Sequence, residues 1–263
     1  MSDQDILYAV ADHVATITLN RPERMNTISG AMLDALSAAL LAANADDSVR
    51  VILLTGSGRA FCAGLDLSRD PNQTLGGGAA LPPKLDLRNT PPTVLFNLDK
   101  PTIAVVNGAA AGYGLDLALG CDIRVAARDA KLAASYVKRG VLPESGGTWY
   151  LPRLLGWDRA AQLIFTGRTL SAEEALDLRL VTEVHADAEA ALAAGQAMAA
   201  EIAANAPLAV QAARRMMRAG LAEPFVEHVD HVFLQLLPLL ASADMREGMQ
   251  AFMEKRPPVF KGR

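Results

Sequence analysis

Hydrophobic and polar positions along the chain follow two periods, which predict both strands and helices. Residues 6–20 alternate around a polar Ala-Asp-His turn, a pattern typical of a β-hairpin. Residues 29–47 have helical spacing, with Ser29 as the expected N-cap. The apolar runs VRVILLTG and KPTIAVVNG predict two buried strands.

Strand, turn and helix patterns then recur along the chain. SGRAFCAGLDLS predicts a turn that enters a short helix, AAAGYGLDLALGCD a glycine turn with an apolar helix, and IRVAARDAKLAA two short strands. Four or five helices are expected over residues 147–220 with one brief strand near LVTEV, and helix follows to the end. This order predicts an α/β protein with a largely parallel sheet.

One long segment has neither period. Residues 67–93 are rich in glycine and proline, and they interrupt an otherwise regular order of elements. A loop of this length inside a compact domain is usually a functional lid or disordered. We therefore expect a lid or a disordered segment here.

Composition narrows the class of protein. The 263 residues are 51% hydrophobic with a net charge of −4, which suits one large domain with or without a helical appendage. No basic cluster indicates binding to nucleic acid or to a membrane surface. Two cysteines are too few for a disulfide framework, and the N-terminus does not resemble a secretory signal, so we expect a cytoplasmic protein.

The sequence gives little support for a metal site or for a catalytic nucleophile. His228 and His231 lie three residues apart on a predicted helix, but no third ligand is evident, so a solvated face is expected and no metal site is predicted. Cys62 has no base near it in sequence, and the chain has no G-x-S-x-G motif.

Two glycine turns carry more information. LLTGSGRAFCAGLD and VVNGAAAGYGLD each run from a buried strand through glycines to a helix start, where backbone N–H groups and the helix dipole favour negative charge. Two such N–H groups that converge would form an oxyanion hole, although either turn alone could simply be tight. GYGLDLALG does not fit the dinucleotide-binding pattern, because its third glycine comes too late.

Two acids stand beside these turns. Asp116 lies one helical turn after Tyr113, and Glu144 lies between a proline and a Ser-Gly-Gly turn. Either carboxylate could act in a pocket, or could only stabilise the start of the helix beside it.

The motifs taken together resemble the crotonase superfamily, the enoyl-CoA hydratase/isomerase enzymes. The resemblance runs nearly end to end through ITLNRPERMNTIS, ILLTGSGRAFCAGLDL, KPTIAVVNGAAAGYGLDLALGCDIRVAARDAKL, GVLPESGGTWYLPRLLG and REGMQAFMEKRPPVF. PESGGTWYLPR and the C-terminal ADMREGMQAFMEKRPPVF look most like the ring-epoxide and enoyl-CoA isomerases of phenylacetate catabolism.

This resemblance implies a fold and a substrate class. It implies an α/β spiral of ββα units over residues 1–200, followed by a helical region, 201–263, that builds trimers, often paired into hexamers. It also implies an acyl-CoA substrate, with coenzyme A as part of the substrate and no other cofactor.

The resemblance assigns roles to individual residues. The oxyanion hole would be formed by the N–H groups of Leu65 and Tyr113. The family usually has glycine at the position of Tyr113. The remaining positions would line the substrate pocket, as Ala63, Gly112 and Tyr136, or contact coenzyme A, as Arg24, Phe252 and Lys255.

The acids depart from the hydratase pattern. Asp116 matches the first of two hydratase glutamates, Tyr136 stands in place of the second, and Glu144 matches the acid of related isomerases. We therefore expect double-bond or ring-epoxide isomerisation, with Glu144 moving the proton and Asp116 assisting. The alternatives are a 2-enoyl-CoA hydratase that uses Asp116 and Glu144, and a non-catalytic acyl-CoA-binding homologue.

Overall fold

A computed structural model describes residues 5–66 and 90–263 of the chain, and these form ten strands and ten α-helices. The strands are β1 (Ile6–Ala11), β2 (Val14–Leu19), β3 (Val51–Gly56), β4 (Ala60–Cys62), β5 (Thr102–Val106), β6 (Ala109–Ala111), β7 (Ile123–Ala127), β8 (Lys131–Ala133), β9 (Thr169–Ser171) and β10 (Glu183–His185). The helices are α1 (Gly30–Ala45), α2 (Pro91–Asn97), α3 (Tyr113–Gly120), α4 (Gly147–Leu155), α5 (Trp157–Thr166), α6 (Ala172–Asp177), α7 (Ala188–Ala203), α8 (Pro207–Ala219), α9 (Phe225–Leu240) and α10 (Ala243–Glu254).

The larger sheet has six strands in the order β1-β2-β3-β5-β7-β10. Only the hairpin of β1 and β2 is antiparallel, and the other pairs are parallel. Its central strands β3, β5 and β7 are mostly apolar because both faces of the sheet are covered. Ile52 and Leu54 of β3 pack into the core on one face, whereas Val51 and Leu53 pack on the opposite face, which α7 covers.

The smaller sheet has four strands in the order β4-β6-β8-β9 and positions the candidate site. Strands β4, β6 and β8 are parallel, so their carboxyl ends lie at one edge of the sheet. The turns that follow these strands therefore come together, at an edge where open α/β sheets commonly bind ligands.

Several sequence predictions are confirmed. The hairpin and the two buried strands form, and five helices occupy residues 147–220. The hydroxyl of Ser29 accepts the N–H of Met32, so Ser29 is the N-cap of α1. The α/β class with a largely parallel sheet is also confirmed.

Three short strands and one helix were not predicted. SGRAFCAGLDLS contains strand β4, AAAGYGLDLALGCD begins with strand β6, and residues 169–171 form a second brief strand, β9, which pairs with β8. The helix predicted at the end of SGRAFCAGLDLS stays a prediction, because the last two residues of that stretch lie outside the described residues. Helix α2 begins at Pro91, inside the segment 67–93 that was expected to be a loop. The rest of that segment, and with it the predicted lid, lies outside the described residues.

The last helices carry exposed apolar side chains. Phe225, Val226, Phe233 and Leu234 of α9 are all more than half exposed on the single chain. Within the described residues no helix combines the length and the apolar character needed to cross a bilayer. The predicted division between residues 200 and 201 stays a prediction; it falls inside α7.

Candidate active site

The two glycine turns lie side by side at the edge of the smaller sheet. The turn after β4 contains Gly64, and a Cβ placed on Gly64 would lie 3.9 Å from the amide nitrogen of Tyr113, at the start of α3. Gly64 has φ +108°, which favours glycine, and so does Gly112 with φ +53° and ψ −122°. The sequence thus uses glycine where the backbone must bend sharply on both sides of one gap.

A cavity of about 100 Å³ opens between these turns. Six of the residues predicted for the site line it: Ala63, Leu65, Gly112, Tyr113, Tyr136 and Glu144. Four further lining residues were not predicted: Gly64, Ser135, Arg139 and Val141. Ser135 and Arg139 flank Tyr136 at a spacing of four, and Arg139 Nη1 donates to Ser135 Oγ at 2.7 Å, but this spacing alone does not distinguish them from residues of a solvated turn.

The backbone N–H groups of Leu65 and Tyr113 are free to bind a ligand. Within residues 5–66 and 90–263, neither N–H donates to a protein acceptor, whereas the neighbouring N–H groups of Ala63 and Asp66 do. Tyr113 also begins α3, where the helix dipole favours negative charge. Two such donors beside one cavity can stabilise an oxygen that gains negative charge.

The Tyr113 side chain fills space next to this gap. It is only 6% exposed, and its hydroxyl has no hydrogen-bond partner in the described part of the chain. Burial raises the pKa of this hydroxyl above its usual value, and the neighbouring Cys62 and Glu144 raise it further. Tyr113 is therefore protonated at neutral pH.

Glu144 is the one carboxylate among the described residues that line the cavity. It lies in the turn before α4, and its side chain is exposed to solvent. This turn is tight, since a Cβ on Gly147 would lie 2.8 Å from Cβ of Pro143. Glu144 is therefore accessible both from the cavity and from solvent.

Asp116 has a different environment. It is 0% exposed and does not line the cavity. Its carboxyl group accepts the N–H of Ser145 at 3.2 Å, accepts a further N–H from Gly147, and makes a short hydrogen bond with the hydroxyl of Tyr136. Asp116 thus fastens the turn that carries Glu144 to the first turn of α3.

Burial raises the pKa of Asp116 to about 7, with a smaller contribution from the negative charge of Glu144. The hydrogen bonds that the ionised form would accept from Tyr136, Ser145 and Gly147 oppose this rise. Burial dominates because the charged form of a carboxyl group loses its hydration in the interior.

We expect the stability of the protein to fall as pH rises from about 4 to about 7. In this window folded Asp116 keeps a proton that the unfolded chain releases, so each increase in pH favours unfolding. The shift corresponds to at most about 4 kcal/mol at pH 8. Thermal melts at pH 5 and pH 8 measure the part of this loss of stability that occurs above pH 5. Asp116→Asn, which cannot ionise, should lose less stability over this range, and equal losses in both proteins would contradict the prediction.

The residues predicted to contact coenzyme A lie outside the cavity lining. Arg24 forms an ion pair with Asp66 at 3.6 Å, and Arg21 bonds the same carboxylate at 3.1 Å. Because Asp66 follows Leu65, these pairs bring Arg24 close to the first glycine turn. Phe252 is 82% exposed near the end of α10, and Lys255 caps that helix.

The two C-terminal histidines share one carboxylate as their hydrogen-bond partner. His228 and His231 each hydrogen-bond one oxygen of Glu223, at 2.8 and 3.0 Å. No group of three metal-ligating side chains occurs in the part of the chain that the structure describes.

Comparisons with known proteins give consistent matches over nearly the whole chain. The sequence model described as "Enoyl-CoA hydratase/isomerase" matches residues 10–263. A "Probable enoyl-CoA hydratase" of Rhodobacter capsulatus is 40% identical over all of both chains. The "1,2-epoxyphenylacetyl-CoA isomerase" of Escherichia coli is 39% identical over 98% of each chain. The crystal structure of an enoyl-CoA hydratase from Bacillus anthracis superposes with a TM-score of 0.89 at 35% identity, covering 99% of this chain and 100% of that one.

Proposed function

Because the chain belongs to the enoyl-CoA hydratase/isomerase family, we propose that it isomerises an acyl-CoA thioester and that Glu144 moves the proton. The observation that carries this proposal is the contrast between the two acids. Glu144 lines the cavity, whereas Asp116 is enclosed behind it.

The thioester oxygen would accept the two N–H groups of Leu65 and Tyr113. Removal of a proton from the carbon next to the thioester makes an enolate, whose negative charge collects on that oxygen. Preorganised donors at this point typically contribute 10²–10³-fold each to the rate.

Glu144 would take the proton from the α carbon of a 3-enoyl chain and return it at the γ carbon. The C–H electron pair enters the enolate, and the double bond moves next to the thioester when the γ carbon is protonated. One carboxylate suffices, because it accepts a proton at one carbon and, once protonated, can donate a proton at the other. Isomerisation of a ring epoxide, the activity in the name of the Escherichia coli relative, would start from the same enolate: its electron pair breaks the C–O bond at the ring carbon beside the α carbon, and the resulting alkoxide takes up a proton.

A hydratase needs a second group to handle water. Asp116 is poorly suited to that part, because its carboxyl already binds Tyr136 and the Glu144 turn and has no exposed surface. We assign it an indirect role in the reaction.

The coenzyme A end and the assembly complete the proposal. Arg24, close to the Leu65 turn, would meet the phosphates near the cavity. Phe252 and Lys255, both exposed at the end of α10, would contact the nucleotide end of coenzyme A from a neighbouring subunit, with Lys255 as the charge that pairs with phosphate. The exposed apolar face of α9 supports self-association into trimers, because contact between subunits would remove these side chains from water.

The test is a comparison of two substrates with the purified protein. We expect turnover of a 3-enoyl-CoA to its 2-enoyl isomer, and slower addition of water to a 2-enoyl-CoA of the same length. Mass spectrometry in D₂O would follow exchange at the α carbon. Dominant hydration would support the hydratase alternative, and tight binding without turnover would support a non-catalytic acyl-CoA-binding protein; either result overturns the proposal.

A further inference from the structure

Tyr136 is a buried residue at the wall of the cavity, and its hydroxyl group is bonded to other protein groups. It is 3% exposed, and its hydroxyl contacts two oxygens, the carboxyl Oδ1 of Asp116 and the carbonyl of Gly112 at 3.0 Å. The resemblance to known enzymes implied that Tyr136 lines the substrate pocket. The ring does line the cavity, but the hydroxyl is occupied by these two protein groups.

The number of protons decides how this cluster is bonded. A phenol has one O–H, so it can donate to only one of the two oxygens. If Asp116 is a neutral acid, it donates to the Tyr136 oxygen, and the Tyr136 hydroxyl donates to the carbonyl of Gly112. Both contacts are then hydrogen bonds, whereas an ionised Asp116 would leave two acceptor oxygens facing each other at Gly112.

The carbonyl of Gly112 belongs to the same peptide unit as the N–H of Tyr113. In a trans peptide the C=O and the N–H point in opposite directions, so a bond that fixes the carbonyl also aims the N–H. The carbonyl accepts a second bond from the N–H of Asp116 at 3.1 Å. Hydrogen bonds in a chain also polarise one another, which makes the N–H at the far end a stronger donor.

We propose that Tyr136 is a positioning residue of the oxyanion hole: neutral Asp116 donates to Tyr136, Tyr136 donates to the carbonyl of Gly112, and this holds and polarises the N–H of Tyr113. The same Asp116 binds Ser145, next to Glu144. One buried network therefore sets the distance between the oxyanion hole and the proposed base. This inference rests on the proposed acyl-CoA function.

The expected result is a loss of thioester polarisation in Tyr136→Phe. Cinnamoyl-CoA, whose conjugated carbonyl absorbs at longer wavelength when it is polarised, serves as the probe. We expect a clear red shift on binding to the wild-type protein and a much smaller one in Tyr136→Phe. Turnover of the 3-enoyl-CoA should fall about tenfold at a KM that changes little, because the donor remains but is weakened.

The matched control is Tyr150→Phe, which removes a hydroxyl from a partly buried tyrosine that does not line the cavity. It should keep the full red shift. Incorporation of 3-fluorotyrosine at position 136 tests the same bond without a deletion. The fluorinated phenol is a stronger donor of nearly the same size, so the red shift should increase.

The outcomes separate this inference from the proposed function. A wild-type protein that binds cinnamoyl-CoA without a red shift would contradict the oxyanion hole itself. A wild-type red shift that persists unchanged in Tyr136→Phe would overturn the role of Tyr136 alone. If Tyr136→Phe does not fold, an unchanged shift in the fluorotyrosine protein overturns it in the same way.

Discussion

Glu144→Gln is expected to lower the turnover of a 3-enoyl-CoA by about 10³-fold while leaving KM within a few-fold of wild type. General acid–base catalysis by a positioned side chain typically contributes 10²–10⁴-fold, and an amide of the same shape cannot accept the proton. Binding should persist, because the N–H groups of Leu65 and Tyr113 and the contacts to coenzyme A do not involve this carboxylate. Steady-state kinetics of the purified variant gives both values.

Two comparisons make this result specific to Glu144. Glu189→Gln removes an exposed carboxylate in the first turn of α7, away from the cavity, and should leave kcat unchanged. Glu144→Gln should also stop the exchange of the α proton with D₂O, which does not depend on where the proton is returned. If the variant keeps isomerisation and exchange within a few-fold of wild type, the base is another group and the proposed role of Glu144 is wrong.

The environment of Asp116 could not be predicted from the sequence. Its position one turn into α3 follows from local spacing, and the resemblance to known enzymes suggested a catalytic acid. Its enclosure depends on Tyr136 and on the turn before α4, which come from separate parts of the chain. Only the assembled fold distinguishes the accessible carboxylate from the buried one.

Elements were predictable where a local signal was strong. Strands β3 and β5 are continuous apolar runs, and the Ser29 cap has a side chain suited to its position. Helix α2 was missed because Pro91 and Pro92 were taken as part of a loop, although proline is well suited to the first position of a helix. Strand β9 has three residues, and its only support is pairing with β8, so no local pattern marks it.

The site could be predicted in part because its backbone donors depend on glycine. Glycines mark both turns that provide N–H groups, and such turns can be identified from sequence. Arg139 and Ser135 carry no comparable mark, since a solvated helical turn would look the same. The side chains that line the cavity lie in the turns and helix starts that follow the strands of the smaller sheet, and local sequence does not encode how the sheet brings these segments together.

Gly114→Ala is expected to be the most damaging small substitution near the site. Gly114 is the second residue of α3 and packs directly on the end of β4. A Cβ there would lie 2.7 Å from both the carbonyl carbon and Cβ of Cys62, and nearer still to the carbonyl oxygen. No rotamer change relieves an overlap with backbone, so α3 must move away from β4.

This movement would separate the two halves of the proposed oxyanion hole, because Tyr113 moves with α3 and Leu65 with the turn after β4. We expect the free energy of unfolding to fall by about 3 kcal/mol, the upper part of the usual range for overpacking, and kcat to fall by about 10²-fold. Urea denaturation measures the first, and kinetics on the folded fraction measures the second.

Gly120→Ala is the matched control, since it makes the same change at the other end of the same helix. A Cβ at Gly120 would meet its nearest neighbour, a methyl group of Leu95, at 3.4 Å, which is ordinary contact. Replacing a helical glycine with alanine typically stabilises by about 0.5–1 kcal/mol, so this variant should be as stable as wild type or slightly more so. A wild-type urea midpoint and full activity in both variants would contradict this prediction. It would mean that α3 packs less closely on β4 than in the structure, and that the positions of the two N–H groups do not depend on this contact.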